Sequence, residues 1–175
     1  MTTANKLTIF RIVLVPFLAY FLWIDSWWIA LGIFIAASLT DLLDGYIARK
    51  YSQITDLGKL LDPLADKLLM LTAFAMLATH EMIPWWGFAV IAAREGLVTL
   101  LREVARKHGE VIAASIWGKL KTVTQIAVII LFMCFANLQN PIIGILQIAV
   151  FYITVAITVM SGLDYMVKYY RGKSK

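Results

Sequence analysis

Residues 39–69 read LTDLLDGYIARKYSQITDLGKLLDPLADKLL. Four aspartates in this stretch, Asp41, Asp44, Asp62 and Asp66, stand inside sequence that is otherwise apolar enough to be membrane. A carboxylate at the middle of a membrane helix costs about 3 kcal/mol to insert. Four of them therefore need a compensating partner, and a pair of divalent cations supplies one. The spacing agrees. Asp41 and Asp44 are i,i+3 and share one helix face, whereas Asp62 and Asp66 are i,i+4 and share another. Two helices that each offer a carboxylate pair can close around a dinuclear metal site.

The rest of the composition fits this reading. Of the 175 residues, 61% are hydrophobic, and the mean hydropathy is +0.80. A soluble domain of this length could not bury that much apolar surface, but a bilayer can accommodate it. The net charge of +5 does not point to nucleic acid, because the basic residues cluster at the ends of apolar runs. There they read as topology signals and contacts to anionic lipid. No nucleic-acid partner is expected. Cys134 is the single cysteine and has no partner for an intrachain disulfide. The first apolar run, from Leu7, is too long for the core of a secretory signal and contains Pro16, so it reads as a retained span.

Six runs are long enough to cross a bilayer as helices: Leu7–Ile24, Trp27–Ile47, Leu57–Thr79, Pro84–Ala105, Ile112–Ala136 and Pro141–Val167. The expectation is one membrane domain over residues 1–175, all-α, a bundle of six transmembrane helices. The turns near Asp25, at 80–83 and at 137–140 lack lysine and arginine. The opposite ends hold Lys6, Arg49, Lys50, Lys59, Arg106, Lys107, Lys119, Lys121, Lys168, Arg171, Lys173 and Lys175. This asymmetry places both termini in the cytoplasm. Trp27, Trp28, Trp85 and Trp86 are then expected as an aromatic belt at the outer interface. A rise of about 1.5 Å per residue puts Asp44 and Asp41 ~7 and ~12 Å below the cytoplasmic end of span two, and Asp62 and Asp66 ~9 and ~15 Å below that of span three. All four fall in one slab.

Carboxylate oxygens suit hard ions, Mg²⁺ or Mn²⁺. Small residues at Gly45, Ala48 and Gly58 allow a bulky group or a neighbouring backbone to approach, and Arg49 can meet a phosphate. Written as a pattern, the stretch is D-x2-D-G-x2-A-R-x8-G-x3-D-x3-D. It resembles, at every fixed position, the signature of the CDP-alcohol phosphatidyltransferase family. The resemblance implies a homodimer of six-span bundles with an active site open to the cytoplasmic leaflet and two metal ions on the pyrophosphate of a CDP-linked lipid. It implies that Asp41, Asp44 and Asp62 are metal ligands. Asp66 would deprotonate the attacking hydroxyl while also touching a metal. Gly45, Ala48, Arg49 and Gly58 would be nucleotide contacts. Thr40 either bonds the nucleotide or bonds back to its own helix.

The motif specifies the donor and leaves the acceptor open. Arg94 and Glu95 stand near the middle of span four, Arg102 and Glu103 lie two turns nearer the cytoplasm, and Lys119 and Lys121 open span five. Arg94 lies ~18 Å from the cytoplasmic end, a depth comparable to that of Asp66. Its structural alternative is an ion pair with a carboxylate on another span; for Arg102 and Lys121 the alternative is snorkelling to the interface. Together Arg94, Arg102, Lys119 and Lys121 argue for an acceptor that itself carries phosphate. The stretches 93–103, 111–115 and 118–122, with the opening Asn5-Lys6-Leu7-Thr8, Arg11 and Pro16, resemble the glycerol-phosphate branch of the family. That implies CDP-diacylglycerol and sn-glycerol 3-phosphate as substrates, and phosphatidylglycerol phosphate and CMP as products. Inositol phosphate as acceptor, or a divalent-cation transporter using the same carboxylates, are the competing readings. The transporter is disfavoured because the outer half offers no polar relay. His80 and His108 have no partners at metal spacing and are expected to be exposed bystanders. Gly32 and Gly144 are expected as packing points.

Overall fold

A computed structural model describes the backbone of residues 3–50, 56–107, 116–138 and 140–173, and their side chains except at 3–6, 41–50, 56–60, 62, 107 and 171–173. Among the described residues the regular structure is all α-helix. Its elements are α1 (Thr3–Trp23), α2 (Trp27–Lys50), α3 (Asp56–Thr79), α4 (Trp85–Lys107), α5 (Ile116–Phe135) and α6 (Pro141–Lys173). Over the described residues each expected span is helical, and the described turns fall at three of the expected breaks, near Asp25, at 80–84 and at 136–140, while the breaks expected at 51–56 and 106–110 lie largely outside the described residues. The expected start of span five at Ile112 and the loop histidine His108 lie outside the described residues. By length and apolarity, α5 and the Pro141–Tyr170 part of α6 are able to cross a membrane. Among the described residues the apolar stretches Leu7–Trp23 and Trp27–Thr40 are shorter. With 33 residues, α6 is about 50 Å long. It continues past the expected Val167 end through Lys168, Tyr169 and Tyr170, residues suited to the headgroup region.

The helices form two compact units. One contains α1, α2 and α3 with residues 133–137; the other contains α4, α5 as far as Phe132, and α6. In the first, α1 packs along both α2 and α3, which also touch each other. Leu18 and Leu22 of α1, Ala30, Phe34 and Ala37 of α2, and Ala65, Leu69, Ala73 and Leu77 of α3 are buried. These recur at three- and four-residue steps, the period of one helix face. Alanines in the seam let the helices approach closely, the usual packing where lipid supplies no hydrophobic drive between helices. The opposite faces are apolar as well: Phe10, Val13, Phe17 and Leu39 are exposed, the arrangement expected of a lipid-facing surface.

The α1–α2 turn is a complete C-cap. The amide of Ser26 donates to the carbonyl of Phe21 at 2.9 Å and that of Asp25 to Leu22 at 3.1 Å, with Asp25 left-handed at φ 57°. This is the Schellman pattern, which usually takes glycine at the left-handed position. An aspartate stands here because its side chain has a second partner. His80 places Nδ1 3.5 Å from the Asp25 carboxylate, brings Nε2 to 3.0 Å from the carbonyl of Leu22, and stacks edge-on against Trp27. His80 is therefore a half-buried clasp between the ends of α1 and α3, contrary to the exposed bystander expected. Trp27 is likewise corrected: it is 4% exposed, whereas Trp28, Trp85 and Trp86 are at least half exposed as a belt requires. The imidazole gives Trp27 an inward partner, and its neighbour Trp28 faces outward one position on.

In the second unit α4 packs on α6, burying Ile91, Val98 and Ala105 against Phe151, Val155 and Tyr169. Gly87 marks the tightest approach. A Cβ there would stand 2.4 Å from Cζ of Phe151, a rigid ring that cannot swing aside. Gly87→Ala is expected to destabilise the protein by about 1–3 kcal/mol through overpacking, read as a lower thermal midpoint in detergent. Gly144→Ala is the matched control. A Cβ at Gly144 or Gly32 meets nothing within 4 Å, so the packing role expected of these two glycines is not found. Equal midpoints for the two variants would show that Phe151 yields.

Candidate active site

The aspartate motif is carried on two helices that touch. Asp41, Asp44, Gly45, Ala48 and Arg49 belong to the last turns of α2, and Gly58, Asp62 and Asp66 to the first turns of α3. The i,i+3 and i,i+4 pairings are thereby helical, as their spacing requires. The side chains of Asp41, Asp44, Ala48, Arg49 and Asp62 lie outside the described residues. Asp66 is half-buried, next to Ala65, which is fully buried in the three-helix seam. Pro63 sits between Asp62 and Asp66 and removes one N–H from the α3 hydrogen-bond ladder in this segment. Thr40 donates its hydroxyl to the carbonyl of Ala37 at 2.7 Å. Of the two roles open to it, the back-bond to its own helix is the one observed.

α1 adds two polar residues that the sequence reading had used only as markers. Thr8 and Arg11 are fully buried, and Arg11 is the bulkiest of the fully buried side chains. A guanidinium withdrawn from water demands compensating surroundings, and Arg11 is not without an interaction partner. The available signal was an arginine within an apolar run on the helix that packs against both motif helices.

The second unit gathers three of the four expected phosphate-binding cations. Arg94 donates from Nη2 to Ser161 Oγ on α6 at 2.6 Å and from Nη1 to Glu95 at 3.4 Å. Lys121 of α5 pairs with the same Glu95 oxygen. Arg102 donates from Nη2 to the phenolic oxygen of Tyr165. The side chains of Arg94, Glu95 and Lys121 are only 10%, 12% and 9% exposed, so the snorkelling alternative for Lys121 does not apply. Arg102 and Lys119 are exposed. Lys119 stands apart, with no hydrogen bond or ion pair to the cluster. Its side chain starts from a different face of α5 from that of Lys121, two residues on.

Three anchors of this cluster were missed: Glu95 as the shared carboxylate, and Ser161 and Tyr165 on α6. Glu95 was read merely as the neighbour of Arg94. A signal existed for the other two. Thr154, Thr158, Ser161 and Tyr165 recur at steps of four, three and four, and all are fully buried. A polar stripe at helical period inside an apolar helix marks an inward face. Gln125 of α5 donates to Thr158 at 3.3 Å and joins this seam. The adjoining groove of about 550 Å³, lined by Ala93, Gly96, Leu97, Leu100, Val104 and Tyr169, is almost wholly apolar. It cannot hold an anion, whereas the arginine cluster can.

The first unit thus carries the aspartate motif on paired helices, the second a part-buried cationic cluster, and comparison with known proteins gives the family. The family model described as CDP-alcohol phosphatidyltransferase matches residues 1–160. A Bacillus subtilis (strain 168) protein named CDP-diacylglycerol–glycerol-3-phosphate 3-phosphatidyltransferase is 38% identical over 94% of this chain and 93% of its own. A Haemophilus influenzae protein of the same name is 37% identical over 91% and 89%. A Mycobacterium tuberculosis protein named probable phosphatidylglycerophosphate synthase is 37% identical over 94% and 80%. With most of its length matched and each fixed position of the aspartate motif present, the chain belongs to the CDP-alcohol phosphatidyltransferase family and is a transferase.

Proposed function

We propose that this protein transfers the phosphatidyl group of CDP-diacylglycerol to sn-glycerol 3-phosphate, releasing CMP and phosphatidylglycerol phosphate. The observation that carries this is the near full-length likeness to several proteins named for that reaction, beside a part-buried cationic cluster suited to a phosphorylated acceptor.

The chemistry divides between the two sets of residues. Asp41, Asp44, Asp62 and Asp66 would hold two divalent cations, Mg²⁺ or Mn²⁺. The donor set fits them, since the residues from 41 to 66 include no histidine, cysteine or methionine and hard ions prefer oxygen. When bound, such ions supply charge neutralisation of the pyrophosphate and of the departing CMP. Gly45, Ala48 and Gly58 leave room for the nucleotide, Arg49 meets its phosphate, and Thr40 retains acceptor capacity on its hydroxyl while bonded to Ala37. Asp66 accepts the proton from the attacking hydroxyl of glycerol 3-phosphate. The oxygen of that hydroxyl then forms a bond to the lipid-side phosphorus as the bond to CMP breaks. Arg94, Arg102 and Lys121 receive the acceptor's own phosphate, and Lys119 draws anions toward them from its exposed position.

The setting we infer is the cell membrane: one multi-pass domain over residues 1–175, six spans, both termini cytoplasmic, and the motif opening to the cytoplasmic leaflet. A homodimer accords with the family resemblance. The test is CMP release by purified protein from CDP-diacylglycerol with Mg²⁺ or Mn²⁺, comparing glycerol 3-phosphate with glycerol, serine and inositol phosphate. Metal-dependent turnover restricted to glycerol 3-phosphate is the expected result. Arg94→Ala should raise the KM for that acceptor by about tenfold or more, the effect of removing a charge-assisted bond to phosphate. Turnover with a different alcohol would overturn the acceptor assignment, and absence of CMP from folded protein would overturn the reaction.

A further inference from the structure

Two arginines that bind one phosphate must be held at a set distance from each other, and the structure contains a part placed to do this. Arg94 and Arg102 start about 12 Å apart along α4, eight residues at the helical rise. Both guanidiniums nevertheless lie over a single ring. The guanidinium carbons lie 5.6 and 4.8 Å from the centroid of Tyr165, and Arg102 also donates to its hydroxyl. Unaided, two like charges drawn together would separate into different rotamers. An aromatic face attracts both, and the phenolic oxygen gives Arg102 a definite orientation.

The ring itself cannot move away. Tyr165 is fully buried, and a Cβ placed on Gly118 of α5 would lie 3.5 Å from its Cε2 and 3.7 Å from its hydroxyl, so the α5 backbone flanks the phenol. Arg94 is pinned elsewhere on the same helix. Its Nη2 bonds Ser161, and its stem runs against Gly162, where a Cβ would stand 3.3 Å from Cγ. Glu95 meanwhile takes up Lys121. The inner face of α6 is thus a template that sets where two guanidiniums stand.

Resting on the reading above that these arginines receive the acceptor's phosphate, we infer that Tyr165 is a positioning residue for acceptor recognition. It fixes the spacing and orientation of Arg94 and Arg102 so that their remaining N–H groups suit the two negative charges of one phosphate monoester. Being buried, it acts through the arginines and contributes nothing to the handling of the CDP-linked donor.

The experiment measures steady-state kinetics of the full chain in detergent with CDP-diacylglycerol, glycerol 3-phosphate and the activating cation, together with thermal midpoints. Tyr165→Phe keeps the ring and removes the acceptor for Arg102; Tyr165→Leu removes both. For Tyr165→Phe the KM for glycerol 3-phosphate should rise about three- to tenfold, the scale of one ordinary hydrogen bond lost. The kcat and the KM for CDP-diacylglycerol should stay within about twofold. Tyr165→Leu should show a larger rise in the same constant, because the ring contact is lost as well. Thr158→Val, at a buried neighbour on the same α6 face whose hydroxyl accepts from Gln125, is the structural control and should leave the acceptor KM unchanged. A selective acceptor effect absent from Thr158→Val supports the inference. Equal losses toward both substrates, or the same KM rise in Thr158→Val, would reduce Tyr165 to a packing residue. Arg94→Lys and Arg102→Lys separate the two readings. If both raise the acceptor KM while Tyr165→Phe does not, the positioning role alone is refuted. If neither raises it, the phosphate-binding reading is refuted and this inference goes with it. Tyr165→Phe is close enough to isosteric to carry the test if Tyr165→Leu does not purify.

Discussion

Asp66→Asn is expected to lower kcat for CMP release by about 10²- to 10⁴-fold, the contribution of a positioned general base. The amide keeps the size and polarity of the side chain, so the helix and its packing beside Ala65 should persist. Asparagine cannot take up the proton of the attacking hydroxyl. The acceptor would then have to attack as a neutral alcohol or lose its proton to water, either of which raises the barrier. Because Asp66 stands one turn below Asp62 on α3, some loss of metal affinity is expected too, and the assay must be run to saturating cation. A kcat deficit that survives saturation identifies proton transfer. A deficit that disappears when the cation is raised would assign Asp66 to metal binding alone.

The second large effect concerns stability. Glu95 accepts from Arg94 and Lys121 together, and these three side chains are about nine-tenths buried. Removing one partner of a buried ion pair typically costs about 3–5 kcal/mol, because the remaining charge has lost its compensation. Glu95→Ala takes the shared carboxylate from two cations, so a loss of about 3 kcal/mol is a reasonable expectation even with some repair by Ser161. The contrast is Glu103→Ala. Glu103 pairs with Arg106 at 2.5 Å, but the two side chains are 49% and 69% exposed, and such surface pairs contribute under about 1 kcal/mol. Thermal midpoints of the two variants in one detergent decide the matter. Adding Lys121→Met to Glu95→Ala should recover part of the loss, since an apolar side chain needs no counter-charge. Similar midpoints for Glu95→Ala and Glu103→Ala would mean that the cluster is solvated and that its ion pairs are not structural.

These expectations draw on different levels of information. The six helices and the placing of the motif on α2 and α3 were readable from local features: apolar run length, breaks at Asp25, His80 and Asn137, and carboxylates at i,i+3 and i,i+4. Backbone hydrogen bonding in a helix joins residues four apart, so segment character largely decides helix location. Errors clustered where a residue's neighbour in space is remote in the chain. By sequence His80 falls in an outer turn, far from the motif and without ligand partners at metal spacing, yet the α1 C-cap brings Asp25 and the carbonyl of Leu22 to it. Trp27 and Trp28 are indistinguishable by type and depth; only the packing of α1 and α3 on α2 makes one core and leaves the other facing outward.

The functional residues divide in the same way. Chemistry that resides in residue type and short spacing, meaning the carboxylate quartet, the small residues beside it and a set of cations too numerous for a neutral acceptor, could be had from the chain alone. What each cation does could not. Arg94 finds Ser161 across 67 residues, Arg102 finds Tyr165 across 63, and Lys121 finds Glu95 across 26. Lys119, two positions from Lys121, remains exposed because a two-residue step carries a side chain roughly halfway around a helix, to the opposite side. Composition and periodicity reveal that charges are present and at what depth. Whether a given charge is shared, buried or left open to a ligand depends on which helix faces come together, and that is a property of packing between segments distant in sequence.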